Sequence, residues 1–162
     1  MIAVRKVGIE EIPIIKNLAN IICPATYSEL ITPQQVDYMM ELIYSTSSLQ
    51  KQIAKGHQFI IAYDEDKAVA FASYSAREEN PSVYKLHKIY ILPNQQGKGI
   101  GKTLINYIIK DITPVTSLQL NVNRNNKALQ FYQRIGFKII FEEDIDIGSG
   151  FYMNDYVMEL RW

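Results

Sequence analysis

The segment Pro93-Asn94-Gln95-Gln96-Gly97-Lys98-Gly99-Ile100-Gly101-Lys102-Thr103 sets three alternate glycines and two lysines at the head of an apolar, helix-periodic run. These residue types suit a phosphorylated ligand. N–H groups in the first turn of a helix have no intrahelical acceptor and lie at the positive end of the macrodipole. Glycine lets oxygen atoms approach the main chain without a Cβ in the way, and Lys98 and Lys102 add positive charge. An anionic diphosphate can be held by such amides.

Two familiar phosphate sites fail on spacing. A nucleoside-triphosphate P-loop ending at Gly101-Lys102-Thr103 needs glycine at position 96, which is Gln96. A dinucleotide fingerprint starting at Gly97 needs glycine at position 102, which is Lys102.

The turn has to be positioned by a strand before it and a helix after it. Val83 to Leu92 reads as the strand, and Gly99 to Ile112 as the helix, with Leu104, Ile105, Ile108, Ile109 and Ile112 on its core face. Upstream, residues 2 to 7 read as a first strand, and Glu10 to about Cys23 as a helix carrying Ile12, Ile15, Leu18, Ala19 and Ile22. Thr32-Pro33-Gln34-Gln35 predicts a helix start, with Thr32 as N-cap, Pro33 at N1 and Gln35 completing a capping box. That helix carries Val36, Met39, Met40 and Ile43 inward. Another begins at Ser47 or Ser48 and is closed by Gly56.

The period then changes from 3.6 to 2. Phe59 to Tyr63 and Ala68 to Ser75 form a predicted hairpin about Asp64-Glu65-Asp66-Lys67. Leu118 to Val122 is a short strand, and Asn125 to Ile135 a helix ended by Gly136. Phe137 to Asp146 and Phe151 to Leu160 make a last hairpin around Gly148-Ser149-Gly150. This order predicts an α/β (α+β) class: a mixed, mostly antiparallel sheet with helices on both faces.

Size and composition fit one domain spanning residues 1–162. The formal charge is zero at pH 7 with no basic block, so neither nucleic acid nor an anionic membrane is expected as a partner. A single cysteine, Cys23, excludes an intrachain disulfide and fits a reducing, cytoplasmic setting; it reads as a small buried side chain on a helix. The opening MIAVRKVGIEEIP shows no signal-peptide core, and no apolar run approaches membrane-spanning length.

Two motifs together resemble the GNAT superfamily, the acyl-CoA-dependent N-acetyltransferases. The family's Q/R-x-x-G-x-G/A falls on Gln96-Gly97-Lys98-Gly99-Ile100-Gly101, and its N-x-x-A-x-x-x-Y followed by G-F falls on Asn125, Ala128, Tyr132 and Gly136-Phe137. Within the superfamily, "TYSELITPQQVDYMM" and "AVAFASYS" look like the PaiA-type polyamine acetyltransferases. The resemblance implies acetyl-CoA as cofactor and a small-molecule primary amine as acceptor. It also implies a parallel strand pair, 83–92 and 117–122, that splays apart around the pantetheine arm. The main chain of Ile91 then meets the pantetheine amides, and the Ile89 N–H meets the thioester carbonyl. The diphosphate rests on the amides from Gly97 to Lys102, and Asn125 contacts the arm from the other side.

Acetyl transfer needs a neutral amine, a stabilised oxyanion and a proton for the departing thiolate. A fixed strand dipole at Ile89 suits the oxyanion. Tyr132, a phenol protonated at neutral pH, suits the thiolate. The base is not assigned. Many relatives carry glutamate where this chain has Lys85. His87, expected on the same strand face as Lys85 and Ile89, is a candidate, as are Glu78, Glu79 and a water chain. For the acceptor, Asp37 and Glu41 lie one helical turn apart, Glu142, Glu143, Asp144 and Asp146 cluster near the last turn, and Tyr27, Tyr38 and Tyr44 could line a channel. Three alternatives stay open: a polyamine or other small amine, an amino acid or protein N-terminus, and a non-catalytic acyl-CoA sensor. The apolar ending Tyr156-Val157-Met158 with Trp162 is compatible with a homodimer.

Overall fold

The computed structural model describes residues 1–162. The chain runs β1 (Ile2–Val7), α1 (Ile12–Tyr27), α2 (Pro33–Tyr44), α3 (Thr46–Ala54), β2 (Gln58–Asp64), β3 (Lys67–Ala76) and β4 (Tyr84–Ile91). It continues through α4 (Ile100–Ile112), β5 (Ser117–Asn123), α5 (Ala128–Ile135), β6 (Lys138–Gly148) and β7 (Phe151–Arg161). The strands form one sheet of seven in the order β1-β2-β3-β4-β5-β7-β6. Every neighbouring pair is antiparallel except β4–β5.

Local chemistry sets the helix ends. Thr32 caps α2, its hydroxyl accepting from the Gln35 N–H at 3.1 Å. The expected reciprocal half of that capping box is absent, because the Gln35 amide instead donates to the Tyr152 carbonyl at 2.6 Å and ties α2 to the last hairpin. Helix α3 starts earlier than predicted, with Ser45 accepting from the Ser48 N–H at 3.2 Å. Helix α1 runs past Cys23 to Tyr27 with Pro24 inside it; proline removes one donor, but its carbonyl still accepts from the Ser28 N–H at 3.0 Å. Helix α5 begins at Ala128 rather than Asn125. The side chain of Asn123 accepts from the Asn125 N–H and that of Asn126 from the Ala128 N–H, both at 2.9 Å, so the preceding residues fold into side-chain-bonded turns.

Alternation along β3 assigns the two faces of the sheet. Phe71 packs edge-on against Tyr44 of α2, so Phe71, Ser73 and Ser75 point toward α1–α3. The Tyr74 hydroxyl donates to Asp111 of α4 at 2.7 Å, so the even-numbered residues point the other way. Helices therefore cover both faces around a core of 33 buried residues. On α4, Leu104, Ile105, Ile108 and Ile112 are buried as expected and Ile109 is half-buried. No helix is long and apolar enough to cross a membrane.

Two irregularities in β4 shape the rest. Its pairing with β5 is limited to Tyr84–Leu118, Lys85–Gln119 and Leu86–Leu120, beyond which the strands separate. Its pairing with β3 steps from Tyr74–Leu86 to Ser73–Lys88, leaving His87 as an extra residue in a bulge. A bulge changes which face the following side chains take. Lys85 lies opposite Ser75 on the α1–α3 face, whereas Ile89 lies opposite Ala72 on the α4 face. The expectation that Lys85, His87 and Ile89 share one face is thus corrected by a single inserted residue.

Candidate active site

The open side of β4 lies where the two parallel strands part. The Leu92 N–H donates to the Val69 carbonyl of β3 at 2.9 Å. In an antiparallel pair successive residues point their N–H and C=O groups to opposite sides. Those of Leu92 and Tyr90 point toward β3, and those of Ile89 and Ile91 point into the gap toward β5. The only side chain reaching this edge is Gln96, whose amide donates to the Ile91 carbonyl at 3.4 Å.

The turn after β4 presents a run of free donors. The N–H groups of Gly97, Lys98, Gly99, Ile100, Gly101 and Lys102 bond to no acceptor in the protein, and the first bond of the helix runs from Thr103 to the Gly99 carbonyl at 3.0 Å. Gly97 and Gly99 hold φ of +82° and +78°, where a Cβ costs about 1–2 kcal/mol, and nothing stands within 4 Å of where one would be. Gly101 is glycine for another reason. A Cβ there would lie 2.7 Å from Phe131 of α5 and 3.2 Å from Ile91, so it sets how closely α4 approaches β4 and α5. Ile100 is buried and anchors the turn. Lys98 reaches Gln95 at 3.2 Å on the surface, and Lys102 is exposed.

Tyr132 of α5 is buried between Phe131 and Phe137, with ring centroids 5.4 and 5.7 Å away. Burial, with a smaller contribution from Tyr27, pushes its phenol well above the ordinary value, and no hydrogen bond competes for its proton. Tyr27 is itself bonded to Tyr90 through their hydroxyls at 2.9 Å. Ala128 opens α5, and Asn125 is exposed with its side chain bonded to nothing. Ile89 and Ile91 thus lie on the free edge of β4, the amide run follows it, and α5, which carries Ala128 and Tyr132, meets that run where Phe131 approaches Gly101.

The base candidates fare less well. Burial and the adjoining His57, Lys88, Lys85 and Arg77 pull His87 down to about 2. Its ring stacks on His57 at 3.9 Å and bonds Ser75 at 2.7 Å, which holds it in the neutral form and engages it within the fold. Glu79 is exposed and paired with Arg77 at 3.2 Å, and Glu78 is exposed. Asp37 and Glu41 are exposed on α2. Of the hairpin acids, Asp144 and Glu142 are engaged by Arg124 at 2.6 and 4.0 Å.

Three features were not singled out from sequence. Lys88 is buried against the rings of Tyr44 and Phe59 and donates to Gln52 at 2.6 Å; burial pulls it down to about 8. Asp155 of β7 is a second buried ionisable group. A strand pattern marks polar residues as outward-facing, so neither position carries a sequence signal. The third is a cleft of about 430 Å³ beside the wedge. It is lined by Leu30, Ile31, Thr32 and Gln35, by Asn123, Arg124 and Asn125, and by Tyr152 and Asn154. Cys23, as expected, is an enclosed thiol, and burial pushes it up to about 12.

Comparison with known proteins agrees with this fold. The acetyltransferase (GNAT) domain family matches residues 28–160. A PaiA N-acetyltransferase from Thermoplasma acidophilum, solved in complex with coenzyme A, superimposes with a TM-score of 0.83 at 24% identity, covering 100% of this chain and 99% of that one. An uncharacterized N-acetyltransferase of Mycobacterium tuberculosis is 24% identical over 138 residues, 83% of this chain and 87% of that protein. A peptidyl-lysine N-acetyltransferase of Salmonella typhimurium is 28% identical over 89 residues, 54% of each. With a family match over most of its length and the splayed strand pair in place, the chain belongs to the GNAT family of acetyltransferases, which draw their acetyl group from acetyl-CoA.

Proposed function

We propose that the chain transfers an acetyl group from acetyl-CoA directly to a small primary amine, with both held together in the wedge between β4 and β5. The observation that carries this reading is the run of six unpartnered amides from Gly97 to Lys102 adjoining the unpaired edge at Ile89 and Ile91. The residues fit the cofactor. Gly97 and Gly99 hold the open conformation that turns these amides outward, with no Cβ to fill the cradle. Gln96, Lys98 and Lys102 flank it, and Ile100 and Gly101 seat it on the core.

In this reading the main chain of Ile91 takes the pantetheine amides as an added strand, while Asn125 and Ala128 border the arm on the α5 side. Acetyl-CoA supplies the activated acyl group. The Ile89 N–H polarises its carbonyl and holds the charge that develops on oxygen. Tyr132, kept protonated by burial, gives its proton to the departing sulfur. A retained proton donor favours an enzyme over a sensor.

The experiment is release of free CoA thiol from acetyl-CoA with a panel of spermidine, single amino acids, a peptide N-terminus and a lysine peptide. Turnover with at least one is expected. Binding of acetyl-CoA without release across the panel would contradict the reading. A homodimer through the C-terminal strands is part of the proposal: Ile139, Ile140 and Phe141 are exposed on the edge strand β6. Sedimentation at a single monomer mass would remove that part.

A further inference from the structure

Asp155 lies in β7 opposite Asn123, is 5% exposed, and has no ion-pair partner. Carboxylates are seldom buried without one. Its Oδ2 accepts from the Asn121 amide at 3.3 Å, and that amide also donates to Glu143 at 3.0 Å. Since both carboxylates only accept, the Asn121 nitrogen must face them and its oxygen must point elsewhere. Asp155 Oδ1 and Asn121 Oδ1 are both enclosed and hydrogen-bonded to nothing. Arg124 makes no ion pair with the carboxylate. It bonds the Asp155 main-chain carbonyl at 3.2 Å and commits its guanidinium to Asp144.

The location matters as much as the missing partner. Leu86–Leu120 is the last pair between β4 and β5, so Asn121 is the first residue of β5 beyond the point where the strands part. Asp155 is therefore one hydrogen bond from the apex of the wedge. Cross-strand pairing puts Lys85, Gln119, Asn121, Asn123 and Asp155 on the same face of the sheet, the one that α1–α3 cover over β3. The charged and titratable groups around the carboxylate are Lys85 of β4, Glu143 of β6, Arg124 of the β5–α5 turn and, from above, Tyr27 of α1. Two enclosed acceptors without a donor are the complement of an ammonium group, which brings three donors and no acceptor. They do not suit a carboxylate, a phosphate or a neutral carbonyl.

We propose that Asp155, with Asn121 beside it, receives the protonated amine of the acceptor and takes up its proton. The N–H bond that breaks leaves its proton on the Asp155 carboxylate. The freed nitrogen pair forms the bond to the acetyl carbon, and the electrons of the broken carbon–sulfur bond depart on sulfur with the proton of Tyr132. The second N–H proton, acidic on the acylated nitrogen, passes to the Tyr132 oxygen, so a neutral amide leaves with the phenol restored. Asp155 gives its proton to solvent once the product has gone. This assignment rests on the acetyl-transfer reading above and names the acceptor as a cationic alkylamine.

Asp155→Asn keeps the shape and removes the charge. With an alkylamine turned over by the native chain, kcat/KM at pH 7 should fall about 30-fold or more, as for other buried charge partners. The loss should shrink as pH rises toward the acceptor's own pKa, while CoA affinity by calorimetry is unchanged. Full activity in Asp155→Asn, or a loss that pH does not relieve, would overturn the inference while leaving acetyl transfer intact. Absence of any CoA release by the native chain would overturn both. Should Asp155→Asn not fold, carboxyl ¹³C NMR of the native chain with CoA decides. Adding an alkylammonium should move the Asp155 titration to lower pH, and an unmoved titration would refute the assignment.

Discussion

Tyr132 shows how one side chain gains a role from its surroundings. Eleven tyrosines are present, and most fill the core or the surface. Tyr132 combines a buried ring with a hydroxyl that bonds to nothing in the protein, and burial keeps its proton in place. Tyr132→Phe should lower kcat by about 100-fold, the lower end for removal of a positioned proton donor, with the dissociation constant for CoA unchanged. Stopped-flow turnover and calorimetry check the two halves. Equal turnover in Tyr132→Phe would take the phenol out of the mechanism. Its position was legible because the motif places Tyr132 seven residues after Asn125. Asp155 was not legible, since an aspartate in an alternating strand reads as an outward-facing charge until its neighbours are known.

At the scale of the element, the turn between β4 and α4 divides its glycines by task. Gly99→Ala places a Cβ at φ +78° in open space, so it should cost about 1 kcal/mol of stability and weaken CoA binding by turning the amides. Gly101→Ala meets Phe131 instead and should destabilise by about 1–3 kcal/mol through overpacking. Phe131→Leu should recover part of the Gly101→Ala loss and none of the Gly99→Ala loss, because only the former pair is in contact. Denaturant melts of the three single and two double variants test this; equal rescue of both would show that the glycines serve one purpose.

Most helices and strands could be read from periodicity, and the Thr32 cap from its neighbours. What escaped was set by single local bonds. Asn126 delayed the start of α5, Ser45 advanced α3, and one extra residue at His87 reversed the faces of β4. A two-residue period carries no sign of a bulge, so the relation of Lys85 to Ile89 depended on the tertiary pairing of β3 with β4.

For the molecule as a whole, the stacked pair of His57 and His87 links the sheet to acid stability. Burial lowers His57 to about 4 and His87 to about 2, against about 6.5 in an unfolded chain. Below pH 6.5 the unfolded chain therefore binds more protons than the folded one. Stability is complete above that pH and falls as pH drops from 6.5 toward 4. A fully enclosed histidine corresponds to a slope of about 1.4 kcal/mol per pH unit; both rings here are partly exposed, so solvent screening makes each contribute less. His87→Gln should flatten the limb between pH 6.5 and 4.5, a window above the titration of the lowered carboxylates Asp111 and Glu159. Urea melts across pH measure it, and an unaltered limb would assign acid lability to other groups.

The central claim concerns where the cofactor lies. A crystal structure of the complex with CoA tests it most directly. The account predicts diphosphate oxygens on the N–H groups between Gly97 and Lys102, the pantetheine arm paired with Ile91, and sulfur beside the Tyr132 hydroxyl. A cofactor bound outside the gap between β4 and β5, or a diphosphate held away from those amides, would contradict it.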